Sequence, residues 1–94
     1  MRKSEEPRPA SLRIDIWLWH ARFCKTRAVA QALAAKGHIR VNGIRVEKAS
    51  AAVRPGDVLT LPAGRDIVVV KVLGFGDRRG PATEARALYE IMPA

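Results

Sequence analysis

The stretch TRAVAQALAAKGHIRVNGIRVE, residues 26–47, decides the fold, because its hydrophobic period changes at a single glycine. Before Gly37 the chain reads as a helix over Arg27–Lys36. Thr26 supplies an N-cap hydroxyl, alanines at 28, 30, 32, 34 and 35 supply propensity, and Val29 and Leu33 form a packing pair at i, i+4. Lys36 and then Gly37 make a stop: a cation toward the negative end of the dipole, followed by a residue free to take positive φ. After Gly37, residues 38–47 alternate polar and apolar around Asn42-Gly43, a dipeptide suited to a type I′ turn. A two-residue loop there pairs Val41 with Ile44, Arg40 with Arg45, and Ile39 with Val46. His38 then faces Glu47, as a surface contact. Ile39, Val41, Ile44 and Val46 would form one buried face, with Arg40 and Arg45 side by side on the other.

Upstream, Ile14, Trp17, Leu18 and Ala21 fall at i, i+3, i+4 and i+7, predicting a helix over Asp15–Phe23 capped by Asp15. Only two residues would then separate the two helices, forcing a compact αα corner. Downstream, Pro55-Gly56-Asp57 marks a turn. Val58–Leu61 and Ile67–Leu73 read as strands around Ala63-Gly64-Arg65-Asp66, residues 74–80 as a loop, and Pro81 or Ala82 as the start of a short helix through Met92. The fold class is therefore α+β: two short packed N-terminal helices, a small mostly antiparallel sheet and a short C-terminal helix. Residues 1–11, with two prolines and mixed charge, read as a flexible leader, and 12–94 as a single domain.

The 94 residues carry 17 Lys+Arg against 9 Asp+Glu, a net charge of +8, which favours a polyanionic partner. Eight of the basic residues, Arg13, Arg22, Lys25, Arg27, Lys36, Arg40, Arg45 and Lys48, lie in one segment with only Asp15 and Glu47 opposing them. That concentration is what an electrostatic footprint requires. Arg40 and Arg45 sharpen it, since like charges directly opposite in a hairpin repel and a phosphate between them would reverse the sign. The plainer reading is two solvated arginines whose stems cover the sheet; the convergence of basic residues favours the phosphate. The Thr26 cap opens a helix whose free amides also suit phosphate, with Gln31 one turn beyond Arg27. Trp19, off the apolar stripe and three residues before Arg22, is a candidate for stacking on an unpaired base. Packing under the hairpin, as part of a second core face, is the more economical use of so large a side chain.

Catalysis finds little support. His20 and His38 lack partners at metal or triad spacing, Cys24 stands alone, the carboxylates are scattered, and no glycine-rich phosphate loop is present. No enzyme activity, cofactor or metal is expected. A single cysteine excludes an intramolecular disulfide, and no apolar run approaches the ~18 residues of a membrane span. A cytoplasmic location is expected.

Arg13-Ile14-Asp15, Leu18, Thr26-Arg27 with Ala30, Gly37, Val41-Asn42-Gly43 and Gly56-Asp57 together resemble the S4-type RNA-binding domain, or αL motif, over roughly residues 13–61. The resemblance implies that two helices and the following hairpin present one face to structured RNA. By position it implies Arg22, Lys25, Thr26, Arg27, Gln31, Arg40, Asn42 and Arg45 as contacts. Trp17-Leu18-Trp19, Ala21-Arg22-Phe23, Lys25-Thr26-Arg27, Arg79-Gly80-Pro81-Ala82, Ala85 and Leu88-Tyr89-Glu90 further resemble the heat-shock-protein-fifteen family. That family implies a stand-alone S4 protein on rRNA of the large ribosomal subunit, in rescue of subunits that carry a nascent chain on peptidyl-tRNA; for this chain a monomer is expected. Its members often continue in a long basic tail, whereas this sequence stops at Ala94. If that tail contributes to subunit affinity, weaker binding is expected here. Three other readings stay open: an S4 module for a tRNA or an rRNA assembly intermediate, a helix-turn-helix for DNA, and a protein-interaction adaptor using the apolar residues of 82–92, for which docking of that helix onto the sheet is the plainer use. The second is disfavoured by a turn without glycine and by basic residues gathered at the turn and hairpin.

Overall fold

The structure, a computed structural model, describes residues 11–93. Apart from Ser11, the expected leader lies outside the described residues. The chain runs β1 (Leu12–Arg13), α1 (Ile14–His20), α2 (Arg27–Ala35), β2 (Ile39–Val41), β3 (Ile44–Val46), β4 (Ala52–Val53), β5 (Val58–Ala63), β6 (Asp66–Val72), α3 (Ala82–Ala85) with a 3-10 turn over Arg86–Leu88, and β7 (Tyr89–Met92). β1 and β4 form a small antiparallel pair, and a five-stranded antiparallel sheet has the order β3-β2-β5-β6-β7.

The stripe predicted for α1 is its core face: Ile14, Trp17, Leu18 and Ala21 are all buried. Trp17 satisfies its one polar atom by donating from Nε1 to the Gly74 carbonyl at 2.8 Å, which ties α1 to the end of β6. His20 is held in the same way, with Nδ1 3.1 Å from the Phe75 carbonyl. Around this helix close Ile39, Val46, Val53, Leu59, Leu61, Val70 and Val72, so one core lies between α1–α2 and the inner sheet face.

α1 ends earlier than its pattern predicts. Arg22 sits in the left-handed region at φ 65°, donating its amide to Trp19 O, while Phe23 donates to Leu18 O at 3.0 Å. That is a Schellman termination with arginine at the position usually taken by glycine, so no sequence signal marked the stop. The helices are therefore joined by residues 21–26 and not by two. Asp15 is likewise not the cap; Arg13 occupies that position, and Asp15 lies within the first turn.

α2 begins at the predicted cap, with Thr26 Oγ1 accepting from the Val29 amide at 3.1 Å, a contact worth about 1 kcal/mol. Its buried residues are Ala30 and Ala34, with Leu33 partly covered, whereas Val29 is 50% exposed. The helix thus packs through alanines, whose small side chains let it approach α1 closely, and Val29 faces outward. It stops through Gly37 at φ 77°, whose amide donates to Ala34 O.

The hairpin register is the predicted one: Ile39 pairs with Val46, Arg40 with Arg45, and Val41 with Ile44, across Asn42 and Gly43 at φ 52° and 83°. Ile44 departs from the expected buried face and is 73% exposed, because β3 is the sheet's edge and only the inner end of the hairpin reaches the core. The ladder ends at Ile39–Val46. Glu47 lies 3.7 Å from Arg45 and not opposite His38 in the ladder.

The largest correction is at the C-terminus. The segment expected to be helical through Met92 leaves helix at Leu88 and returns as β7, pairing Val72 with Tyr89 through to Val69 with Met92. A helix of about three turns is marginal alone, and β6 would otherwise expose a valine-rich edge. Alternating Tyr89-Glu90-Ile91-Met92 covers that edge, and Tyr89 packs on Phe23 with ring centroids 4.6 Å apart.

Candidate RNA interface

The turn after α1, the start of α2 and the hairpin display the exposed cations. Lys25, Arg27, Lys36, Arg40, Arg45 and Lys48 are all solvent-exposed. Lys25 and Arg27 flank the capped start of α2, and Lys36 sits at its C-cap. Arg45 ties that helix end to the hairpin: its guanidinium lies against Gly37, where a Cβ would collide with it. Across the hairpin Arg40 stands opposite Arg45 and donates to the Gly43 carbonyl at 3.3 Å. A weak contact of Arg45 with Glu47, both well exposed, takes up little of that charge.

Other predicted contacts serve the frame. Arg13 is fixed by two hydrogen bonds to Asp15, at 3.0 and 2.9 Å. Asp15 is fully buried, and burial pushes its carboxyl up. Hydrogen bonds from Arg13 and Gln31, the Arg13 charge and the Ile16 amide outweigh this and hold it below its ordinary value. Arg13 is correspondingly raised, by its hydrogen bond and charge contact with Asp15. Gln31 thus reaches from α2 to Asp15 of α1, while Arg13 closes the start of α1. Thr26 caps α2. Asn42 donates from Nδ2 to Asp57 Oδ1 at 3.0 Å and accepts from the Val58 amide at 2.9 Å, clasping the hairpin tip to the turn at 54–57. Trp19 is half-buried, 5.6 Å from the His20 ring, and lies outside the core cluster, so the second core face expected of it does not form.

Arg22 combines both roles. Its backbone ends α1, and its Nε donates to the buried Gly80 carbonyl at 2.7 Å. This bond brings the 77–80 loop beside the basic turn and adds Arg78 and Arg79, which sequence reasoning did not select. Arg78 is paired with Glu84 at 3.1 Å. Arg79 Nε is buried without a hydrogen-bond partner. No local pattern links residues 22 and 80; only the tertiary fold does. Burial raises the Cys24 thiol, which is nearly inaccessible and takes no part in this surface. Among the described residues no helix is long and apolar enough to cross a membrane, and no cluster of His, Cys, Asp or Glu could hold a metal ion.

Comparison with known proteins agrees with this geometry. The family model of the S4 domain matches residues 12–59. Heat shock protein 15 of Escherichia coli K12 is 42% identical over 86 residues, covering 92% of this chain and 64% of that protein. This chain therefore spans just under two thirds of that relative's length. The RQC P-site tRNA stabilizing factor of Bacillus subtilis 168 is 37% identical over 81 residues, 86% of this chain and 92% of the other. Among solved structures, the trimeric heat shock protein 15 of Vibrio cholerae superposes with a TM-score of 0.82 at 38% identity, covering 87% of this chain and 82% of that one. With the domain match spanning the two helices and the hairpin that carry the cations, this chain belongs to the S4 domain family.

Proposed function

We propose that this protein is a non-catalytic RNA-binding protein of the cytoplasm. It docks on rRNA of the large ribosomal subunit and acts in recycling subunits that carry a stalled nascent chain on tRNA. The observation that carries this reading is the exposure of Lys25, Arg27, Lys36, Arg40, Arg45 and Lys48 on one helix–helix–hairpin unit, without a comparable set of carboxylates among them. Such a surface contacts phosphates, while backbone groups and the helix start refine the fit to RNA shape. The names of two relatives, heat shock protein 15 and RQC P-site tRNA stabilizing factor, support the ribosomal setting.

Co-sedimentation with vacant large subunits, large subunits carrying peptidyl-tRNA, and intact ribosomes tests it. Preference for the subunit with peptidyl-tRNA is expected. Equal binding to all three removes the recycling role and leaves a general RNA-binding domain. The mass of the free protein in the same experiment is expected to be that of a single copy; a trimer, as in the Vibrio cholerae structure, would correct this.

A further inference from the structure

The outer face of the five-stranded sheet is not used by the core, and its register places a second chemistry beside the arginine pair. Arg40 pairs with Arg45 on one side and with Thr60 on the other, so all three side chains share that outer face. Pro62 and Ile67, paired two positions along, continue it. Between them lies a cleft of about 220 Å³, lined among others by Gly37, His38, Arg40, Thr60, Pro62 and Ile67. Ile67 is 66% exposed, a large apolar side chain on a face otherwise open to water.

We infer that this cleft binds one unpaired RNA nucleotide, its phosphate on the basic side of the cleft where the Arg45 guanidinium lies over Gly37, and its base on Pro62 and Ile67. The inference rests on the RNA-binding reading above and adds to it a site on the sheet, away from the helix turn. Three features select this occupant. The cleft is smaller than the ~300 Å³ at which pockets for drug-sized ligands begin, which suits one ring system. Its lining contains a cation and no carboxylate, with a second cation across the hairpin. The floor is apolar with a single hydroxyl, from Thr60, at the edge. An anion joined to a flat, partly apolar ring is a nucleotide, and RNA is read chiefly where unstacked bases can be splayed onto such surfaces.

The test uses two RNA hairpins at low salt, where phosphate contacts alone suffice for binding. One carries a single bulged 2-aminopurine and the other is fully paired. The expected result is a change in 2-aminopurine fluorescence on binding and an affinity about tenfold higher for the bulged hairpin. I67D should remove that preference; its added carboxylate lowers affinity for both hairpins alike, so the ratio of the two affinities is the readout. T60V, which keeps the shape and deletes the hydroxyl, should reduce the preference. Because Ile67 is exposed, circular dichroism of I67D should match the parent. Equal affinity for both hairpins, or a preference that survives I67D, overturns the cleft assignment alone. Failure to bind either hairpin overturns the RNA reading with it. If I67D instead changes the sedimentation mass and not the preference, the face is covered by a second copy of the chain and the nucleotide assignment is wrong.

Discussion

Arg13 grips both carboxylate oxygens of Asp15, Nε to Oδ1 at 3.0 Å and Nη2 to Oδ2 at 2.9 Å, at the point where β1 passes into α1. The acid is fully buried while the arginine side chain is 47% exposed, so the pair closes the helix start at the protein surface. Because the folded carboxyl is held below its ordinary value of 3.8, the ionised pair contributes stability above that pH. The contribution is lost as pH falls through the lower folded value. Acid unfolding should therefore steepen as pH drops below 3.8. D15N should cost about 1–3 kcal/mol at neutral pH and flatten that acid limb. Parallel acid limbs in the two proteins would show that the pair carries no such linkage.

The clasp between Asn42 and Asp57 gives a second prediction. Asn42 stands at φ 52° and spends its side chain on Asp57 and on the Val58 amide. N42A loses both bonds and a residue tolerant of the left-handed region, so denaturant unfolding should show a loss of about 1–3 kcal/mol. RNA affinity, measured where the variant is folded, should change far less than on removal of Arg40. A variant with an unchanged unfolding midpoint and no RNA binding would instead make Asn42 a direct contact.

These two cases mark how much was legible in the sequence. Local rules suffice for α2 and the hairpin: a cap hydroxyl at Thr26, a glycine stop at 37 and an Asn-Gly turn each act within a few residues. Arg22 defeats them, because an αL arginine leaves no signature, and the α1 boundary moved with it. Val29 faces outward and Ala30 inward because close approach to α1 rewards small residues, which an apolar pattern does not weigh. β7 became a strand because β6 offered an edge, a fact about pairing between distant segments. Among site residues, charge was readable, but whether a side chain is free or already engaged was not. Asn42 and Gln31 spend their groups on partners that only the fold supplies, and Arg13 on an acid two residues away.

The electrostatic account predicts a salt dependence. If about five phosphates are neutralised, log affinity should fall with log salt at a slope of about −3.5 to −4.5. Replacing Arg40 and Arg45 together by alanine should make that slope shallower by about 1.4–1.8. The same change should leave the free protein about as stable as before, since both side chains are exposed and their contacts with Gly37 and Gly43 lie in water. Weaker binding with undiminished stability is the signature of residues kept for a ligand. An unchanged slope would remove the hairpin from the contact surface.

Arg22 separates backbone from side chain. Its left-handed conformation opposes any residue with a Cβ, while its Nε bond to Gly80, 2.7 Å long, holds the C-terminal loop beside the basic turn. R22A loses the bond and keeps the strain; R22G loses the bond and relieves the strain. Both should weaken RNA binding, through the missing charge and the released loop. R22G should unfold at higher denaturant than R22A, by about 1 kcal/mol, the cost that glycine escapes in the left-handed region. In both variants amide exchange of residues 77–80 should quicken, because the bond that restrains the loop is gone. Equal stabilities for the two variants would show that α1 does not end on a left-handed Arg22. Unchanged exchange at the loop would show that the Gly80 contact does not hold it, and the basic surface would then end at the helix turn.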